Sequence, residues 1–311
     1  MGDIPVLIIG YLRFDMITKI VARALENTSG PIYISIDAAR NPSDYPVNQQ
    51  IREFLENLSD THPSQIKTNF MDQNVGCSAH VLHACDWFFS IEEFGLVLED
   101  DCLPDRLAFI YLRDARTVYQ KNELCLLISL SQFAPKELVG DKWSLSNYPL
   151  VWGWAASGEK WNLIRDLILG EFNYSRFTVL KSIELYYWLS GARRAQRGFV
   201  DAWDTPLAFG LNVKKLYVLH PPGNFIQNLG NDEVAVHVDT SDHWTNFPIG
   251  EYRQDLAEPV VNPALVRWYR DQFFRIRGRH AITNRLRALL DIFKYSRRAT
   301  QSLSQKYYSR R

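Results

Sequence analysis

The stretch that decides the fold is GLVLEDDCLPD, residues 95–105, in which an apolar run passes directly into Glu99, Asp100 and Asp101. Residues 96–98 are typical of a buried β-strand, and the proline after the acids starts a helical pattern. Adjacent anions at the end of a buried parallel strand lie where open α/β sheets bind ligands, and they repel one another unless a cation lies among them. The stretch therefore predicts a divalent ion, Mn²⁺ or Mg²⁺, held by oxygen ligands and a phosphate. The alternative is a solvated acidic loop that caps the next helix.

The sequence around this stretch predicts an α/β fold. Short apolar runs alternate with helix-length amphipathic segments through the first 130 residues, which is typical of β-α-β units and a mainly parallel sheet. Strands are predicted at residues 6–10, 32–36, 66–70, 96–98 and 124–130, and helices at residues 14–25, 49–58, 75–89 and 104–119. Residues 131–151 look irregular. Helices are then predicted at residues 158–169, 177–190 and 199–209, with a strand at residues 214–219 and a long loop at residues 221–247.

Charge is unevenly distributed along the 311 residues, although the formal net charge is zero. From Pro263 onward there are thirteen Lys and Arg against two acids, so an acidic body carries a basic tail. We predict one domain over residues 1–260, with a nucleotide-binding half (1–130) and an acceptor or catalytic half (131–260), and a basic amphipathic helical tail at residues 261–311. The tail favours attachment to an anionic membrane surface; the alternatives are packing back onto the acidic body, and nucleic-acid binding, for which no matching domain is present.

The four cysteines form no C-x-x-C pair and lie in or beside apolar segments, which indicates reduced thiols. No segment reads as a secretory signal or a membrane-spanning helix. The expectation is a cytoplasmic protein, peripheral on the inner face of the plasma membrane if the tail binds lipid.

Several motifs together resemble a known family. The acids within VLEDD and the LPD that follows are similar to the metal-binding motif of GT-A-fold glycosyltransferases that use nucleotide sugars, and the Glu-Asp-Asp form resembles the N-acetylglucosaminyltransferase I family. A bacterial group of nucleotide-diphospho-sugar transferases is similar as well. The other segments that carry the resemblance are PVLIIGYLR, ISID, NVGCSAHV, VWGWAASGEKW, DAWDTPLAFG and the late Asn228-Leu229-Gly230 with His237.

The resemblance implies a GT-A fold, with a Rossmann-like mixed, mainly parallel sheet flanked by helices. It implies a metal-dependent, inverting transfer of a sugar from a nucleoside diphosphate sugar, a UDP-sugar being favoured, to a glycan or lipid-linked acceptor of bacterial surface polysaccharide. Asp101 would be the direct metal ligand, with Glu99 and Asp100 toward the sugar and ribose. The remaining donor-binding candidates are Arg13 for the diphosphate, Asp37 for the base, Asn74 and Trp154, and His237 is a candidate late ligand for the metal or diphosphate.

Inversion requires a base that takes the proton of the acceptor hydroxyl. Asp201 and Asp204 are the candidates, because residues three apart lie on one face of a helix. The position of Asp204 within the resemblance, beside Trp203, makes it the first candidate and Asp201 the second. Each candidate has a structural alternative. Arg13 could be a solvent-facing residue at a helix start, Asp37 a turn residue, the Asp pair a surface feature, the ring of Trp154 a core residue, and His237 a structural histidine.

Two other functions remain open. Sugar nucleotidylyltransferases share a nucleotide-binding half of this kind, but they need a Gly-rich signature bearing Arg and Lys after the first strand, which IIGYLRFD does not supply. A non-catalytic carbohydrate- or membrane-binding protein on the same fold is the other alternative, and the retained acids argue against it.

Overall fold

The computed structural model describes residues 3–170, 182–230, 247–254, 257–276 and 303–308. The strands are β1 Val6–Gly10, β2 Ile32–Ile36, β3 Ile66–Phe70, β4 Phe94–Glu99, β5 Cys102–Pro104, β6 Cys125–Ser129, β7 Ser144–Ser146, β8 Trp154–Ser157, β9 Tyr217–His220, β10 Ile226–Asn228 and β11 Val260–Val261. The helices are α1 Phe14–Asn27, α2 Tyr45–Thr61, α3 Cys77–Phe89, α4 Arg106–Lys121, α5 Lys136–Val139, α6 Gly158–Leu169, α7 Ile183–Gln196, α8 Asp204–Lys214, α9 Pro263–Trp268 and α10 Leu303–Tyr308.

Nine strands form the central mixed sheet, in the order β11-β7-β9-β6-β8-β4-β1-β2-β3. The strands β3, β2, β1 and β4 are parallel, as the sequence predicted. Strand β8 lies antiparallel between β4 and β6, so the sheet continues through both predicted halves of the domain. A separate two-stranded sheet pairs β5 with β10 in antiparallel fashion.

Helices cover both faces of the sheet, and alternate residues of each strand point to opposite faces. In β1, Val6 and Ile8 pack with α1, α2 and α4, whereas Leu7 and Ile9 pack with α3, α6 and α8. All five residues of β1 and of β2 are buried, which explains why both strands are apolar except at Ser35, whose hydroxyl group bonds His80. The fold is therefore a three-layer α/β arrangement around a mostly parallel sheet.

Several predicted boundaries are wrong. Pro104 belongs to β5, and the following helix begins at Arg106 because Asp105 caps it by accepting a hydrogen bond from Leu107 N at 2.9 Å. Residues 131–151 are not entirely irregular, because they contain α5 and β7, and the loop predicted at residues 221–247 contains β10. These short strands are ordered by pairing with distant segments, which local sequence patterns do not report.

The described parts of the predicted tail pack on the body. Leu265, Tyr269 and Ile276 belong to one buried cluster, and Leu303 and Tyr307 of α10 belong to the cluster around α3 and α6. Residues 277–302 lie outside the described part of the chain. Within the described ranges, no helix combines the length and apolarity needed to cross a bilayer.

Candidate active site

Three parallel strands bring the predicted site residues to one edge of the sheet. Gly10 pairs with Ile36, and Ile9 pairs with Glu99, so β1, β2 and β4 end at the same level. The segments that follow these strands are residues 11–13, Asp37 with its loop, and the acids that follow Glu99. The carboxyl edge of the sheet therefore collects most of the candidate residues, as expected for a ligand-binding edge.

Arg13 lies between two of the three acids. Its Nη1 donates to Asp100 Oδ1 at 2.9 Å and to Asp101 Oδ2 at 3.2 Å, and the backbone N of Tyr11 donates to Asp100 Oδ2 at 2.9 Å. The three side chains are only 10–21% exposed, so water screens these ion pairs less than it screens surface pairs. The segment after β1 thus supplies the positive charge that the acidic triplet needs.

Glu99 is the last residue of β4 and the first of the three acids. Its pKa is raised to about 8 by burial together with the negative charges of Asp101, Asp100 and Asp204, against a hydrogen bond from Trp203 that lowers it. The pKa of Asp100 is raised to about 6 by burial, while Arg13 opposes this shift. The site therefore contains one carboxyl group that keeps its proton near neutral pH and a second that is ionised there.

Asp204 is the first residue of α8, and its Oδ1 accepts a hydrogen bond from Thr205 N at 2.9 Å. Its charge acts on Glu99, so α8 begins beside the acidic triplet. Asp201 lies before this helix, which makes the prediction that the two aspartates share one helix face wrong. Asp201 instead accepts hydrogen bonds from Cys77 N and Ser78 N, each at 2.9 Å, at the start of α3.

Asp37 is 3% exposed, and its oxygens accept hydrogen bonds from within the chain. Val75 N and Ala38 N donate to Oδ1, at 3.0 and 2.9 Å, and Gly76 N and Asn74 Nδ2 donate to Oδ2, both at 3.0 Å. Burial raises the pKa of Asp37 to about 6, although the backbone hydrogen bonds pull it down. Asp37 and Asn74 therefore contact each other at the carboxyl edge, and these hydrogen bonds organise the loop between them and α3. Contact of Asp37 with a nucleotide base stays a prediction.

The small sheet brings the segment Asn228-Leu229-Gly230 to the site, although the sequence alone indicates no role for it. Because β5 pairs with β10, Leu229 N donates to the backbone O of Asp101 at 2.7 Å. A Cβ atom on Gly230 would lie 2.6 Å from Asp101 Oδ2, so the glycine permits this close approach. His237 lies outside the described residues, seven positions further along the chain.

Trp154 belongs to the core. It is 1% exposed in β8, and its ring packs against Trp161 and Trp203 with ring centroids 6.2 and 5.6 Å away. A ring buried in this way cannot stack on a sugar, so Trp154 is a core residue and the prediction that it binds the donor is wrong. Its effect on the site is indirect, because it supports Trp203, which bonds Glu99.

The described residues of the site fit a divalent ion only if a bound ligand completes its coordination. Among the described residues, no three His, Cys, Asp or Glu side chains converge as a complete metal site. Asp101 is the most exposed of the paired carboxylates, at 21%, and could supply one oxygen ligand. Mg²⁺ characteristically uses one or two carboxylates together with substrate phosphates and water. The residues present therefore fit an ion that binds largely through a phosphorylated ligand.

Comparison with known proteins gives little further information. No protein-family model and no curated protein matches the chain. Among solved structures, the glycosyltransferase GlyE from Streptococcus pneumoniae TIGR4 is similar over 94% of this chain, with 12% sequence identity and a TM-score of 0.32. This chain spans 64% of the length of that protein. At this similarity GlyE is a remote neighbour that carries no weight for family or activity.

Proposed function

We propose that this protein is a metal-dependent glycosyltransferase of the GT-A type that transfers a sugar from a nucleoside diphosphate sugar. The observation that carries the proposal is the arrangement of Arg13, Asp100 and Asp101 at the carboxyl edge of the sheet, with Asp204 beside Glu99. This edge offers a cation-binding carboxylate, a fixed guanidinium group and a separate carboxylate within one site.

Sugar transfer from a nucleoside diphosphate leaves a diphosphate whose negative charge must be stabilised. Arg13 is held near Asp101 and can donate to the diphosphate oxygens. A divalent ion on Asp101 would neutralise the same charge as the bond to the sugar breaks.

Asp204 is the proposed base for an inverting transfer. It would accept the proton of the acceptor hydroxyl while that oxygen attacks the anomeric carbon on the face opposite the leaving diphosphate. Its position at the start of α8, within electrostatic reach of Glu99, supports this assignment. The motif resemblance supports a UDP-sugar donor and a glycan or lipid-linked acceptor of bacterial surface polysaccharide. The basic residues of the tail separately favour a position at the inner face of the membrane.

Thermal unfolding with UDP and Mn²⁺ tests the donor and metal site. A ligand that binds only the folded state raises its stability, so UDP with Mn²⁺ should raise the melting temperature more than UDP in EDTA does. Asp101→Ala should abolish the difference between Mn²⁺ and EDTA, because it removes the proposed metal ligand.

The matched control is Asp60→Ala, which removes an exposed carboxylate near the far end of α2 and should leave the Mn²⁺ effect intact. Equal stabilisation by UDP in Mn²⁺ and in EDTA would contradict the metal site.

A further inference from the structure

Two carboxylates from distant parts of the chain bind four consecutive backbone N–H groups where α3 begins. Asp37 accepts from Val75 N and Gly76 N, both at 3.0 Å. Asp201 accepts from Cys77 N and Ser78 N, both at 2.9 Å. Gly76 N, Cys77 N and Ser78 N are among the groups that a helix start leaves without intrahelical partners and that often bind phosphate in other proteins. In this chain they are bound by its own acids.

The backbone at Gly76 leaves space for the carboxylate of Asp201. Gly76 has φ +84°, a conformation that favours glycine, and a Cβ atom there would lie 2.6 Å from Asp201 Oδ2. The carboxylate therefore occupies space that any other residue at this position would fill. Asp201 is separated from Ser78 by 123 positions, so the contact joins two regions of the chain that fold together only in the tertiary structure.

The same contact fixes the segment that carries the proposed base. Within residues 201–204, Asp201 is bound to α3 at one end, and the side chain of Trp203 bonds Glu99 and packs on Trp154. Asp204 follows directly and begins α8. The position of Asp204 relative to the acidic triplet thus depends on two attachments, one to each side of the carboxyl edge.

We propose that Asp201 is a positioning residue that holds the segment 201–204 so that Asp204 faces the reacting sugar. This inference rests on the proposed function, since it takes Asp204 as the base. It also assigns the diphosphate to Arg13 and the divalent ion, because the start of α3 is already bound by carboxylates. Asp201 itself takes no proton from the acceptor.

Substitutions at Asp201 separate positioning from proton transfer. An asparagine can still accept one of the two N–H hydrogen bonds but is not a base, whereas alanine accepts neither. In the hydrolysis of UDP-glucose, UDP-galactose or UDP-N-acetylglucosamine with Mn²⁺, water takes the place of the acceptor hydroxyl and UDP is released. Asp201→Asn should keep the kcat of this reaction within about tenfold of the wild type. Asp201→Ala should lower kcat by roughly 100-fold with little change in KM, and Asp204→Asn should be at least as impaired.

Ser157→Ala is the matched control, because Ser157 caps α6 at the opposite edge of the sheet. It should lower stability by about 1 kcal/mol and leave kcat unchanged. If Asp201→Asn loses as much activity as Asp201→Ala, Asp201 is itself the base and the proposal is overturned. Wild-type kcat in Asp201→Ala would overturn it too.

Alkylation of Cys77 reports on the contact without any enzymatic activity. Cys77 is exposed, whereas Cys85, Cys102 and Cys125 are buried, so iodoacetamide should modify Cys77 selectively in the folded protein. Burial and the negative charges of Glu99 and Asp201 raise the pKa of the Cys77 thiol. Removing the charge of Asp201 lowers this pKa, so Asp201→Asn should speed alkylation, on the order of threefold to tenfold. An unchanged rate would show that Asp201 does not lie at the start of α3. If the rate rises but the wild type releases UDP from none of the sugars, the contact stands, while the proposed function and the positioning role fail.

Discussion

At the scale of single residues, Arg13 pairs with two carboxylates of the acidic triplet. It contacts Asp100 and Asp101 through one nitrogen, Nη1. A metal ion on Asp101 must therefore compete with Arg13, whereas a diphosphate would gain a donor from it. The same side chain thus has opposite effects on the two parts of the proposed ligand.

Arg13→Gln should bind Mn²⁺ more tightly in the absence of nucleotide and bind UDP more weakly. Loss of the positive charge removes the competitor of the metal and a donor to the diphosphate, and each effect should be on the order of tenfold. Electron paramagnetic resonance of free Mn²⁺ measures the first effect, and calorimetry with UDP measures the second.

The control is Arg113→Gln, which removes an exposed arginine of α4 and should leave both affinities unchanged. Weaker Mn²⁺ binding by Arg13→Gln would mean that Arg13 supports the metal site and does not compete with it.

At the scale of elements, strands that sequence reasoning missed complete the site. The pairing of β5 with β10 brings Gly230 close to Asp101. Strand β8 places the ring of Trp154 in contact with the ring of Trp203. Both β5 and β10 have three residues, too few to show a periodic pattern. Their pairing partner lies far away in sequence, so local composition could not predict them.

Gly230→Ala should disturb Asp101 without unfolding the domain. The new Cβ would lie 2.6 Å from Asp101 Oδ2, so the carboxylate must move, and we expect a smaller Mn²⁺-dependent thermal shift with UDP. The melting temperature without ligand should change little, because the atom that must move is the end of a side chain.

Gly191→Ala provides the control within α7, because its Cβ would meet Thr205 at ordinary contact distances of 3.4 and 3.5 Å. It should keep the full Mn²⁺ effect and be neutral or stabilising by up to about 1 kcal/mol. If both variants keep the full effect, the approach of Gly230 to Asp101 has no role in metal binding.

At the scale of the whole molecule, the C-terminal segment α10 is part of the core. Tyr307 is 1% exposed, lies 5.0 Å from the ring of His83 between centroids, and donates a hydrogen bond to Asp86. Asp86 also accepts from Trp161 Nε1 at 2.8 Å and Arg165 Nη1 at 3.1 Å, so α3, α6 and α10 meet at one carboxylate. Deleting residues 281–311 to test membrane attachment would therefore remove core contacts as well as basic charge.

Tyr307→Ala should lower the free energy of unfolding by roughly 2–4 kcal/mol, because it removes a buried ring and a hydrogen bond to Asp86. Urea denaturation measures this change. Tyr308→Ala is the matched control, since the adjacent side chain is 60% exposed and its loss should cost less than about 0.5 kcal/mol. Equal effects of the two substitutions would contradict the docking of α10.

The parallel strands β1 to β4, most of the helices and the acids at the carboxyl edge could be predicted from the sequence. Strands buried on both faces and amphipathic helices each have a recognisable local pattern of apolar residues. The sequence also indicated Arg13 and Asp204 as site residues. The sequence did not predict that Arg13 pairs with Asp100 and Asp101 or that Asp201 binds the start of α3. The burial of Trp154 and α10 in the core also became evident only from the structure. Each of these contacts joins residues far apart in the chain, and the partner of a buried charge or ring is set by packing in three dimensions.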